Sequence, residues 1–346
     1  MPLRKITNIR RLTCVALLAF AVTWSLPNAN AGFTFTPGHI YSTWTFGNTT
    51  NVIEYSVDGT FLGSLTIPSL VQDDELRGIA FGPDGLLYAV MVHFADSGFQ
   101  VLVLDSSGIV HQTYRMEGVY VWGNEGSGKI ALDQQYIYVG GSDDLVRFTM
   151  GDPTSGESIY TNNQVFDVKI LPSGHLFVCS AYQVDEITNS GSFVRTVVFT
   201  NGIDFVDIRG IEYNPATNKL FVTQLGTTGS KCSILQVNAS TGEIETGTLF
   251  NYANDLFLTA SGNLAVGSWT ETARIYNQDL IFVSPLGTDQ RQFVTQYLSG
   301  QGTPTPTPTT TPSGTPTPTA TPTSTPRPIP TPRPRPTPPP RPGFAG

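Results

Sequence analysis

Two stretches of this chain are one phrase written twice: "LRGIAFGPDGLLYAV" from Leu76 and "IRGIEYNPATNKLFVT" from Ile208, 132 residues apart. Each runs a short apolar strand into a proline turn and leaves on a second apolar strand. Taking "IAFGPDGLLYAV" from Ile79 as the template, "VKILPSGHLFV" follows from Val168 and "LFLTASGNLAV" from Leu256, with Gly174 and Gly262 falling where the template has Gly85. "KIALDQQYIYV" from Lys129 is a further copy with a tightened turn, and "FTFTPGHIYST" from Phe33 is a shortened one. The copies number six, at a spacing of about 44 residues.

Each copy continues alike. A polar loop leads to a third strand such as "GFQVLVLD" or "CSILQVN", then a turn, then a fourth strand such as "GSFVRTVVF". Period-two alternation, β-branched and aromatic enrichment and frequent Gly or Asn turns dictate antiparallel β structure, and no stretch keeps a helical period. A period in the forties with four strands per unit is the sequence mark of propeller blades. The expected fold is all-β, a six-bladed β-propeller of four-stranded antiparallel blades over about residues 32–301, with seven blades as the alternative. A single blade cannot cover both its faces, so blades stack around an axis. Tyr41, Tyr88, Tyr138, Phe177, Phe221 and Ala265, at one position of each second strand, are expected to pack between blades. Whether Phe33–Phe35 forms the innermost strand of the first blade, or pairs elsewhere, the pattern leaves open.

The two ends read differently. Residues 1–31 carry a basic head (Arg4, Lys5, Arg10, Arg11), the apolar run "LTCVALLAFAVTW" and a small-residue "ANA" ending at Ala31, the form of a secretory signal peptide. Residues 302–346 hold 17 of the 26 prolines and no apolar run. Such a segment cannot bury enough surface to fold, so it is expected to be a disordered Thr/Pro-rich stalk or linker, suited to O-glycosylation or to passage through a cell wall. Neither end contains an acid. The part between them carries 11 basic and 27 acidic residues, a net charge of −16. That balance repels phosphate backbones and argues against nucleic acid as a partner.

The blade phrase resembles that of the NHL-repeat and gluconolactonase-like six-bladed β-propellers, whose blades also open on a "G-I/L-A … D-G … L-Y-V" pattern. The resemblance spans nearly the whole body but rests on residues that build turns and strands, so it implies a fold more than an activity. Lactonase-type members place an acidic metal ligand just after "Y-V". Here the matching stretches read "LYAVMVH", "IYVGGSDD", "LFVCSAY" and "LFVTQLG", and only Asp143 and Asp144 come near.

A propeller's ligand site is expected at the channel mouth, where the chain leads into each first strand and leaves each second one. The first set carries Arg77, Asp167, Arg209, Asp207 and Asp255; the second carries His93, Asp96, Asp143, Asp144, Tyr182, Gln224, Trp269 and Glu271. Arg77 and Arg209 lie three blades apart. They are expected either to grip a carboxylate or the hydroxyl-rich face of a sugar, or to be neutralised by neighbouring Asp residues. Trp269 beside Glu271 suits sugar stacking. Asp167 and Asp255 are the candidate ligands for a channel calcium ion. The four His are scattered, there is no "G-x-S-x-G", and "GNEGSGK" at Gly123 lacks both the spacing and the following helix of a phosphate loop.

After export two cysteines remain, Cys179 on a second strand and Cys232 on a third strand of the next blade. They form either a disulfide or two buried thiols. The sequence thus favours a secreted or cell-surface monomer, without cofactor, that binds an extracellular protein, a glycan or a small molecule, with cell-wall or envelope contact through its tail. The alternative is a metal-dependent hydrolase or lyase of the lactonase-like kind in the same channel.

Overall fold

The computed structural model describes residues 33–45, 50–67, 74–93, 98–116, 127–162, 164–199, 207–225, 232–291 and 293–298. The signal peptide and the Thr/Pro-rich stalk expected at 1–31 and 302–346 lie outside the described residues, as does Asp96.

Six antiparallel sheets form the blades. The first blade has β1 (Ile40–Thr45), β2 (Thr50–Tyr55) and β3 (Phe61–Thr66); the second has β4 (Asp74–Phe81), β5 (Leu87–His93), β6 (Gly98–Leu104) and β7 (Val110–Arg115). The third comprises β8 (Ile130–Leu132), β9 (Tyr136–Gly140), β10 (Asp144–Thr149) and β11 (Glu157–Thr161). The fourth comprises β12 (Val165–Ile170), β13 (Leu176–Ser180), β14 (Gln183–Ile187) and β15 (Phe193–Phe199). The fifth holds β16 (Ile208–Asn214), β17 (Lys219–Leu225), β18 (Cys232–Asn238) and β19 (Ile244–Leu249). The sixth holds β20 (Ala253–Leu258), β21 (Leu264–Tyr276) and β22 (Phe282–Arg291). In β21 the first half pairs with β20 and the second half with β22, so one long strand serves as second and third. The seven-bladed alternative is excluded.

The last strand, β23 (Phe293–Gln296), answers how the ring closes. It pairs with β1, from Ile40↔Gln296 to Thr43↔Phe293, and becomes the inner strand of the first blade. Phe33 and Phe35 are not in a strand. They pack edge-on against Tyr41, and Phe35 against Phe81, beneath the closure. Hydrogen bonds fasten the seam there: Gly38 N–H donates to the Tyr297 carbonyl at 2.6 Å, Tyr297 N–H to the His39 carbonyl at 3.1 Å, and Gln296 Nε2 to the Gly38 carbonyl at 2.6 Å.

The repeated phrase earns its place through two features. Its turn glycines take the left-handed backbone, with φ of 76° at Gly85, 82° at Gly174 and 81° at Gly262, a region costly for residues with a Cβ. The fifth blade uses Asn218 at φ 53° instead. In the third, Asp133 Oδ1 accepts the N–H groups of Gln135 and Tyr136, each at 2.7 Å. The second feature is the inter-blade core. Tyr41, Tyr88, Tyr138, Phe177, Phe221 and Ala265 are all at most 2% exposed. Burying one such aromatic is worth about 1.5–3 kcal/mol.

These turns define a lower face. The upper face is where the chain leads into inner strands β4, β8, β12, β16, β20 and β23. A β-bulge recurs near the upper end of four of them, between Leu76/Ile79, Val165/Asp167, Ile208/Gly210 and Ala253/Asp255. Each bulge adds a residue and re-aims the side chains beside it.

Candidate functional site in the propeller channel

Strand register puts Gly78, Lys129, Asp167, Gly210, Asp255 and Phe293 at one level around the axis. Lys129, 2% exposed, reaches across from the third blade. Its Nζ donates to the Asn254 carbonyl at 2.5 Å and to the Arg209 carbonyl, and stands 3.9 Å from Asp167 Oδ2 and 3.8 Å from Asp255 Oδ1. Gly210 makes this crossing possible, because a Cβ there would lie 2.9 Å from the Lys129 ammonium. The lysine thereby bars the channel.

Asp167 and Asp255 repeat one structural device. Asp167 Oδ2 accepts the Ile211 N–H of the next blade at 2.9 Å, and Asp255 Oδ2 accepts the Val294 N–H of the next blade at 2.9 Å. Inner strands expose unpaired backbone donors to the channel, and buried donors require partners. These carboxylates supply them. As candidate calcium ligands the pair fits poorly, since the Lys129 ammonium already stands between them as the local cation. Among the described residues, no group of three or more His, Cys, Asp or Glu is placed to hold a metal ion.

Below this bar lies a cavity of about 180 Å³, walled by Phe81, Leu132, Ile170, Phe257 and Gln296 and holding a second ion pair, Lys169 Nζ to Glu212 Oε2 at 3.1 Å. Lys129, Lys169, Asp167, Glu212 and Asp255 form a cluster of two cations and three carboxylates. Burial pushes the Lys169 ammonium down, but Glu212, Asp167 and Asp255 outweigh it and leave its pKa raised. Burial raises the Glu212 and Asp255 carboxyls, and the lysines only partly draw them back.

Above the bar the predicted arginines part company. Arg77, 2% exposed, is saturated: Nη2 meets Glu75 Oε2 at 3.1 Å and Nη1 meets Ser127 Oγ at 2.8 Å. It ties the second blade to the third. Arg209 donates from Nη2 to Asp207 Oδ2 at 2.6 Å and lies over the Phe166 ring at 4.6 Å. Its Nε and Nη1 are buried with no hydrogen-bond partner, and so is Asp207 Oδ1. Asp207 also holds a left-handed φ of 56°. Neither arginine is neutralised by Asp167 or Asp255; each takes a carboxylate from its own strand or the residues just before it.

The remaining predicted residues do not gather here. His93 caps its strand through Nδ1 to Asp74 Oδ1 at 2.7 Å. Glu271 is held by Asn251 and by Arg274 Nη2 at 2.8 Å, within the sixth blade. Asp144 Oδ1 accepts the Ser158 and Thr161 hydroxyls at 2.6 and 2.8 Å. Gln224 is 6% exposed, whereas Tyr182, in the bend after β13, is 56% exposed and Trp269, within β21, is half-buried. Cys179 is a buried free thiol whose pKa burial pushes well up; the side chain of Cys232 lies outside the described residues.

Lys129, Lys169 and Glu212 were missed as site residues. The signal was there: superposing the repeats puts Lys129 where two other blades have Gly78 and Gly210.

No family model matches the chain. Among curated proteins, an adenylosuccinate synthetase from Acaryochloris marina (strain MBIC 11017) is 29% identical over 103 residues, 30% of this chain. The chain spans about a fifth of the length of that relative (20%). Among solved structures, a chain of a nidogen/laminin complex superposes with a TM-score of 0.58 at 14% identity, covering 75% of this chain and 98% of that one. A functionally unknown protein from Desulfotomaculum acetoxidans DSM 771 gives 0.51 at 13% identity, covering 77% and 88%. Regucalcin, a calcium-binding protein from Agrobacterium tumefaciens str. C58, gives 0.44 at 14%, covering 63% and 75%. At these identities the two superpositions above 0.5 show a likeness of fold alone.

Proposed function

We propose that this protein is a secreted or cell-surface binding module that takes its ligand at the upper mouth of the propeller channel, on the Asp207–Arg209 pair of the fifth blade. One observation carries the reading. Among the described residues, Arg209 Nε and Nη1 and Asp207 Oδ1 have no hydrogen-bond partner within the fold. Leaving a buried donor or acceptor unpaired costs about 1–3 kcal/mol each. A salt-bridged pair with unmatched polar atoms, on a backbone in the left-handed region, supports the reading of a partner outside the fold. Signal-like residues 1–31 support export, and the Thr/Pro-rich tail supports display on a stalk.

The test needs no ligand. The double variant Asp207→Gly, Arg209→Met removes the unpaired atoms and relaxes the left-handed position. Its melting temperature should match or exceed the wild type, because groups held for binding commonly lower the stability of the free protein. A fall of several degrees would make the pair structural and sink the reading.

A further inference from the structure

We infer that the cavity below Lys129 is a second binding site, which takes a short-chain primary ammonium compound from the lower face. This goes beyond the upper-mouth reading above and does not depend on it.

The cavity occupies a whole level of the channel. Tyr41, Tyr88, Tyr138, Phe177, Phe221 and Ala265, which pack between blades, pair with Thr295, Ala80, Ala131, Lys169, Glu212 and Phe257 of the inner strands. All six inner-strand partners line the cavity. One level up, small residues leave room that Lys129 takes: a Cβ at Gly78 would lie 2.6 Å from its Cα, and one at Gly210 2.9 Å from its Nζ. At the lower level the room beside Ala80 and Ala131 stays open, at about 180 Å³. A space of about 150 Å³ already accepts a benzene-sized molecule.

The wall is two-sided. Thr295, Ala80 and Ala131 from blades one to three and Phe257 from blade six present small or apolar surface, and Lys169 and Glu212 from blades four and five carry charge. A largely apolar pocket with few polar groups is the usual form of a small-molecule site. The charged wall is reachable, since the Lys169 and Glu212 side chains keep 18% and 12% of their surface. Lys129 bars the upper side, so the ligand enters from below.

Charge selects the ligand. Lys129 and Lys169 face Asp167, Glu212 and Asp255, and no other charged residue lines the cavity, so one carboxylate is in excess. A buried charge without a partner is costly. Burial raises the Glu212 and Asp255 carboxyls, the response of a site short of one cation. An anion would double the excess and a neutral molecule would leave it, whereas a single positive charge cancels it. Asp255 is the anchor: Oδ2 is taken by the Val294 N–H, and Oδ1 stands 3.8 Å from Lys129 Nζ, beyond hydrogen-bond distance. A bare metal ion would waste the apolar wall. A primary ammonium brings donors for the carboxylates and a carbon chain for Ala80, Ala131 and Phe257.

The test is isothermal titration calorimetry on the full chain with n-butylammonium, against butan-1-ol and butyrate as neutral and anionic molecules of the same shape. The expected result is binding of the ammonium at least about tenfold tighter than either comparison. Ala131→Leu fills the space and should abolish binding, with a melting temperature at or above the wild type, because filling a cavity commonly stabilises. Asp255→Asn, which can still accept the Val294 N–H, should erase the preference for the ammonium over the alcohol. Equal binding of ammonium and alcohol, or a preference for butyrate, would overturn the cation assignment. No binding of any probe, or ammonium binding that survives both variants, would overturn the site. Neither result bears on the upper mouth, which the melting temperature of the Asp207→Gly, Arg209→Met variant decides.

Discussion

The ammonium of Lys129 donates to the carbonyl of Asn254 at 2.5 Å, joining the third blade to the sixth across the propeller axis. No loop or neighbouring strand brings these two residues together. The same ammonium faces Asp167 and Asp255, each of which holds a backbone N–H of the following blade. Blades three to six and the closing strand are thus coupled through one side chain.

Replacing Lys129 with Met should therefore be severe. It leaves two buried carboxylates facing one another and two carbonyls without their donor. Removing one partner of a buried ion pair costs about 3–5 kcal/mol. Urea unfolding at neutral pH should show a loss of that order, and Lys129→Met with Asp255→Asn should recover part of it. A loss below about 1 kcal/mol, the scale of a surface pair, would refute the hub.

Gly210 is held small by the same crossing. A Cβ there would fall 2.8 Å from the Asn254 carbonyl oxygen and 2.9 Å from Lys129 Nζ. Gly210→Ala should destabilise by about 1–3 kcal/mol through overpacking. Gly63, where a Cβ would meet only the Phe33 ring at 3.5 Å, is the control and should change little. Equal effects at both positions would contradict the crowding argument.

Closure depends on the last strand. Ending the chain after Arg291 removes β23 and exposes the inner edge of β1, whereas ending it after residue 301 keeps the seam. The shorter chain should lose cooperative thermal unfolding and the longer one should retain it. Calorimetry distinguishes them, and a cooperative transition from the shorter chain would show that the ring tolerates an open edge.

The carboxyl excess below Lys129 predicts a pH dependence. Glu212 and Asp255 have ordinary pKa values of 4.5 and 3.8, and in the folded protein both are raised. The folded state then binds these protons more tightly than the unfolded chain, so their contribution to stability falls as pH rises from the ordinary values through the raised ones. Glu212→Gln should flatten that fall in melting temperature as pH rises above the ordinary carboxylate value of 4.5. Lys169 has the opposite reach: its raised value keeps its contribution intact below the ordinary 10.5 and loses it only above. A steeper acid-to-neutral fall in the Glu212→Gln variant would reverse the assigned direction.

The sequence by itself determined the blade. Strand alternation, the Gly and Asn turns and the second-strand aromatics act between residues a few positions apart or one blade apart. Those interactions recur at a fixed spacing, so the spacing reveals them. It also named Arg77, Asp167, Arg209 and Asp255 as channel residues, because all follow the same point in the repeat. Their roles were decided only by the tertiary structure. Arg77 and Arg209 occupy equivalent positions, yet Glu75 and Ser127 saturate one while the other keeps two free nitrogens. Lys129 opens a copy of the repeat with a tightened turn, and only closure brings Asn254 and Asp255 within its reach. The reason is physical: a repeat encodes contacts inside a blade and between neighbours, whereas contacts across the axis exist only after six blades have closed, and no local pattern records which side chains will meet there.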